Sequence, residues 1–242
     1  MHPTPTLAAL LDDAALLSLE HQIHLAEVVG RHNWNVDLQQ QRFTFSGERS
    51  LECERLHLLG SAAPGPRSWL WAWANPSGFP PEVTALSAAV RDFGRQHGIA
   101  ELTEPEVPFS ALPGDPQDPN HVAGVFVEAA KAVTGRWTSY TGDAGGGTRA
   151  AFLLEHPEFR LPPPEPTRVM RVLQQSVAEL RPTDWRRTIG AYAHGRGLGA
   201  EWDPDGGLSL TGPGLSARIS FDGYGRVAGI KGSLSPTDSG HH

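Results

Sequence analysis

The chain has one cysteine, Cys53, in 242 residues. An internal disulfide and a multi-cysteine zinc site are therefore excluded. Long apolar runs are lacking too. The most apolar stretch near the start, Leu7 to Leu19, is broken by Asp12 and Asp13, and no basic segment precedes it. Neither a signal peptide nor a membrane-spanning helix is predicted, so a soluble cytoplasmic protein with no membrane contact is the expectation. Positive charge is in short supply. Lys+Arg number 20 against 27 Asp+Glu, a net charge of −7, which disfavours nucleic-acid binding through a phosphate backbone. No internal repeat of solenoid length is evident.

Catalytic fingerprints are also missing. There is no Gly-x-Ser-x-Gly elbow and no His-Glu-x-x-His pair. The loop Gly142 to Thr148 is rich in glycine but lacks the Gly-Lys-Ser/Thr ending of a phosphate loop. A strand is predicted after it rather than a helix, so no helix N-terminus would face a phosphate. No cofactor is expected.

What the chain has is turns and a core. Gly (27) and Pro (21) together are about a fifth of the residues, and a 39% hydrophobic share suits a globular interior. Residues 6–29 read as a helix ended by Gly30. Leu7, Leu10, Leu11, Ala14, Leu17, His21, Leu25 and Val28 share one face, and Leu16, Leu19 and Ile23 form a second apolar stripe. Between the stripes runs a polar strip of Asp13, Glu20, His24 and Glu27. Alternation around Trp34–Leu38 and Phe43–Phe45, a less regular run over 50–60 and a segment at 68–74 predict an antiparallel meander. The parity switch within 50–60 predicts a bulge. Helices follow from Pro80-Pro81 to His97-Gly98 and from Asp118-Pro119 onward, then strands at 136–141 and 148–155.

The run Leu161-Pro162-Pro163-Pro164-Glu165-Pro166 marks a boundary. The expected fold class is α+β. A first domain, 1–155, is an antiparallel sheet packed with three helices. A Pro-rich linker, 156–166, leads to a smaller module, 167–235, of two helices and a four-strand meander. Residues 1–166 carry a net −9 and residues 167–242 a net +2, a difference that could reflect attraction between the halves or only their surface composition. The terminal Gly240-His241-His242 is assigned no role.

The most conspicuous segment is Trp69-Leu70-Trp71-Ala72-Trp73-Ala74-Asn75-Pro76. In a strand its three indoles share one face. They would be either a stacking platform for a ligand or the inner face of the sheet, with Asn75 at the turn that follows. This segment and Gly30-Arg31-His32-Asn33-Trp34-Asn35-Val36-Asp37-Leu38 resemble a bacterial domain-of-unknown-function family. That family is marked by an initial helix, a Gly-x-His-x-Trp-x-Val-Asp-Leu motif and a Trp-Leu-Trp-Ala-Trp-Ala-Asn strand. His97-Gly98-Ile99-Ala100-Glu101-Leu102-Thr103 is similar to the family's segment after its second helix. The resemblance covers about residues 6–155 and departs at Gly142 to Gly147, where the loop is longer. It implies no reaction.

Among further candidates, Glu20, His24 and Glu27 stand at one-turn spacing, as metal ligands or as a solvated strip. Cys53 lies between Glu52 and Glu54, which raises a thiol pKa and opposes a nucleophilic role. Arg181, Arg186, Arg187 and Arg196 form a basic region interspersed with aspartate. The sequence favours a non-enzymatic binding or protein-interaction module with a protein partner. One alternative is an enzyme acting on a small polar metabolite through a His/carboxylate cleft. A second is single-stranded nucleic-acid binding on the Trp row.

Overall fold

The structure, a computed structural model, describes residues 4–234. Gly240, His241 and His242, and Ser235 at the end of the expected second module, lie outside the described residues. The fold is α+β with three antiparallel sheets. The chain divides into two compact units, Met1–Leu11 with His21–Arg160, and Asp12–Glu20 with Leu161–His242. Helix α1 (Leu7–Val29) is capped by Thr6, whose side chain accepts from the Ala9 amide at 3.2 Å. Its middle stretch counts with the second unit and its two ends with the first.

In the first unit, β1 (His32–Asp37), β2 (Arg42–Gly47) and β3 (Leu51–Glu52) form one sheet in that order. A second sheet contains β4 (Arg55–Ala63), β5 (Ser68–Trp71), β6 (Glu106–Pro108), β7 (Ser139–Asp143) and β8 (Arg149–Glu155), ordered β6-β5-β4-β8-β7. The expected single meander is thus two sheets. The run over 50–60 breaks at Cys53-Glu54, where its parity changes. The parity change is thus a strand break rather than the expected bulge; the pairing of β4 with β8 slips further on, between Leu58 and Gly60.

Helices α2 (Pro81–His97) and α4 (Pro119–Thr134) pack on β4, with the short α3 (Ala100–Thr103) between them in sequence. Helix α2 ends at Gly98 with φ 70°, a left-handed position that glycine adopts without a Cβ penalty. Asp118 caps α4 by accepting from the Asn120 amide at 2.9 Å. Alternate residues of the second sheet feed two cores. Leu59, Ala151 and Leu153 join Trp69, Trp71 and Phe126 in one. Leu56, Leu58, Phe152 and Leu154 join Phe43, Phe45 and Phe159 in the other. A Cβ on Gly60 would collide with the Leu70 carbonyl and the Trp69 indole, so only glycine fits there.

In the second unit, α5 (Pro166–Glu179) packs on β12 (Val227–Leu234) and α6 (Trp185–Arg196) on β9 (Gly199–Trp202). With β10 (Leu208–Gly212) and β11 (Leu215–Phe221) the strands are ordered β12-β11-β10-β9, a meander. Its outer hairpins are built alike. The Asp203 and Asp222 amides donate to the carbonyls of Gly207 and Arg226, each at 2.9 Å.

Of the α1 polar strip, Asp13 and Glu20 belong to this unit; His24 and Glu27 belong to the first, where Glu27 is exposed. Glu20 is fully buried. Its carboxylate lies 3.1 Å from Arg168 Nε and 2.9 Å from Arg196 Nε, and accepts from the Tyr192 hydroxyl at 2.9 Å. Burial, with Glu20 alongside, drives the Tyr192 pKa far above its ordinary value. Asp12 accepts from the Thr183 and Asp184 amides at 2.8 and 3.0 Å, and Asp13 from Arg187 Nε at 2.7 Å. With these acids and Glu165 counted in the second unit, the expected +2 becomes −2, and the first unit carries −5.

Candidate functional site

A cleft of about 220 Å³ opens in the first unit where α4 ends and β8 ends. Gly135 closes α4 with φ 65°, and the turn sends Arg136, Trp137 and Thr138 along one wall. Glu155, His156 and a 3-10 turn at Pro157–Phe159 supply the other, followed by Arg160. Glu54 and His21 complete the lining.

The polar groups are ordered by the backbone. The antiparallel pairing of β4 with β8 sets Arg55 opposite Glu155 and His57 opposite Leu153. His57 and Glu155 are therefore diagonal neighbours. His57 Nε2 donates to Glu155 Oε1 at 2.9 Å, and Arg136 Nε lies 3.3 Å from the same oxygen. His57 is buried, and its Nδ1 has no hydrogen-bond partner. His21 stacks on Trp137 with centroids 6.2 Å apart. His156 Nδ1 accepts from the Glu158 amide at 3.2 Å, so the neutral ring carries its proton on Nε2 as a donor. The cleft can thus offer guanidinium and imidazole donors beside an indole face.

The residues singled out from the sequence lie elsewhere or only at its edge. Strand β5 stops at Trp71, and Ala72–Ala74 form a 3-10 turn, so the three indoles do not share a strand face. Trp69 and Trp71 are fully buried and offer no stacking surface to a base. Trp69 stacks on Phe126 at 4.8 Å, and Trp71 Nε1 donates to the Glu101 carbonyl at 3.1 Å. Trp73 is half-buried beneath the Arg91 guanidinium, 5.2 Å from its ring. Asn75 makes a turn, its side chain accepting from the Ser77 amide at 3.0 Å.

Glu20 is committed to its two arginines. His24 Nε2 donates to the Glu158 carbonyl at 2.9 Å, and its Nδ1 is 3.8 Å from Glu27. Among the described residues, no group of three or more His, Cys, Asp or Glu side chains is placed to hold a metal ion. Cys53 is a core residue, its thiol pushed up to about 12 first by burial and then by Glu52. The glycine loop is the β7–β8 hairpin, where Asp143 accepts from the Gly145 amide at 2.7 Å. The basic region is spent internally. Arg187 and Arg196 hold Asp13 and Glu20. Arg186 lies over Trp202 and Phe221 at 4.9 and 4.4 Å, and Arg181 donates to the Ala178 carbonyl at 3.1 Å.

His57, Glu155, Arg136 and Arg160 were not among those candidates. No motif joins them; the signal is a strand pairing between distant segments, which periodicity alone does not show. The fold and the cleft define an α+β protein whose first unit carries a small polar recess. The chain belongs to the family of unknown function DUF6882, which it matches over residues 8–157, an interval containing most of the cleft. No curated protein and no solved structure matches the chain significantly.

Proposed function

We propose that the protein is a non-enzymatic binding module whose first unit takes a small polar ligand in the cleft between Arg136–Thr138 and Glu155–Arg160. The observation that carries this reading is the convergence of Arg136, Glu155, His156 and Arg160 beside the Trp137 indole at a recess of about 220 Å³. A few convergent polar groups beside an aromatic wall are the usual composition of a ligand site. The recess is below the roughly 300–1,000 Å³ of drug-sized pockets, which suits a metabolite of few atoms. The reading includes a cytoplasmic, bacterial setting and a two-module chain divided at the proline run, with the second module available to a protein partner. Among the described residues, no helix is long and apolar enough to cross a membrane.

One observation favours an enzyme instead, the hydrogen bond between His57 and Glu155, a pairing used in acid–base catalysis. His57 does not line the cleft, however, and the Cys53 thiol is buried and held protonated. Binding is therefore the better-supported reading. The test is a thermal-shift and calorimetric screen of the full chain against small polar metabolites. A saturable hit that Trp137→Ala or Arg136→Ala abolishes is expected, with no turnover of the bound compound. Turnover lost in His57→Gln would favour the enzyme, and a hit insensitive to both cleft variants would refute the site.

A further inference from the structure

We infer that the cleft selects a small oxyanion, a carboxylate or a phosphate, held chiefly by Arg160 with help from Arg136 and His156; this rests on the cleft being the binding site. The basis is a donor and acceptor count along the lining. Glu155 takes both His57 at 2.9 Å and Arg136 at 3.3 Å on Oε1, which leaves Oε2 as its one oxygen open to a ligand. The Arg160 side chain makes no ion pair among the described residues and is exposed at the cleft. Arg136 spends Nε on Glu155 and retains its other N–H groups. His156 offers Nε2–H, because its Nδ1 is taken by the Glu158 amide. Uncommitted donors thus outnumber uncommitted acceptors, and a planar guanidinium is matched by the paired oxygens of a carboxylate or phosphate.

Glu54 opposes this. It is a lining carboxylate without a guanidinium partner, and it is exposed. Its repulsion sets a limit on the ligand's charge, favouring one anionic group over several. Arg160 is therefore the specificity-determining residue and Glu54 its counterweight.

The experiment is a titration of the full chain with inorganic phosphate, malonate, urea and methylammonium, followed through the Trp137 indole N–H by NMR. Phosphate or malonate is expected to shift that resonance saturably, and whichever binds more tightly identifies the oxyanion. Arg160→Ala should weaken the binding at least tenfold while the melting temperature stays unchanged, because the side chain is exposed and unpaired. Glu54→Gln should tighten it, most for malonate. Equal anion binding in Arg160→Ala overturns the inference, and so does a cleft that answers to urea or methylammonium but not to anions. In either case a neutral or cationic ligand from the metabolite screen would leave the binding reading standing. A screen with no cleft ligand at all removes both.

Discussion

Strands β5 and β8 belong to one sheet and differ in what their side chains do. Strand β5 carries two of the conspicuous indoles, Trp69 and Trp71, and both are interior. Strand β8 carries an unremarkable Arg-Ala-Ala-Phe-Leu-Leu-Glu run, and its last residue, Glu155, is where imidazole, guanidinium and carboxylate meet. Large aromatic area is worth most when buried. Charged groups are retained where solvent can still reach them or where partners converge. Conspicuous composition marked the core here, and a dispersed polar set lines the proposed site.

The contrast can be broken experimentally, beginning with the largest effect. Trp69→Ala should cost about 3–5 kcal/mol of stability, the usual range for a buried aromatic, as measured by denaturant unfolding. A cost below about 1 kcal/mol would return the indole to the surface. Glu20→Gln should cost somewhat less than the roughly 3–5 kcal/mol typical of breaking a buried ion pair, because two buried guanidiniums lose their counter-charge while the amide oxygen can still accept. A neutral result in the same assay would make this carboxylate the solvated group that its helical strip suggested. Gly60→Ala should cost about 1–3 kcal/mol through overpacking against Trp69.

Cys53 titrates in the folded protein near 12 instead of its ordinary 9. The unfolded chain loses that proton first, so stability should fall as pH rises from about 9 toward 12. Cys53→Ala should flatten that slope in alkaline unfolding curves, and the native thiol should resist maleimide at neutral pH. The smallest expected effect sharpens the contrast most. Arg160→Ala should change stability by no more than about 0.5 kcal/mol while altering ligand binding, the reverse of Trp69→Ala.

Helix ends were the most legible part of the fold. Gly30 and Gly98 sit where periodicity ends and the Asp118-Pro119 cap where it begins, and their chemistry is local. The second unit's meander was legible for the same reason, since its turn sequences and its Leu215–Phe221 alternation are short-range. The split into two sheets showed only as a parity change at Cys53-Glu54, because strand partners are chosen by tertiary packing. Glu20 was misjudged because a helical strip does not reveal which neighbours cover it; Arg168 and Arg196 lie far along the chain. The residues of the cleft were not legible, because β4 and β8 meet across an intervening sequence containing three helices.

The claim that the cleft rather than the Trp row is the working surface has one direct test. The chain has seven tryptophans, and their indole N–H resonances can be followed together while a ligand found by the screen is titrated in. The Trp137 resonance should move saturably while those of Trp69, Trp71 and Trp73 stay in place. Movement of the Trp69–Trp73 resonances with Trp137 unaffected would contradict the account.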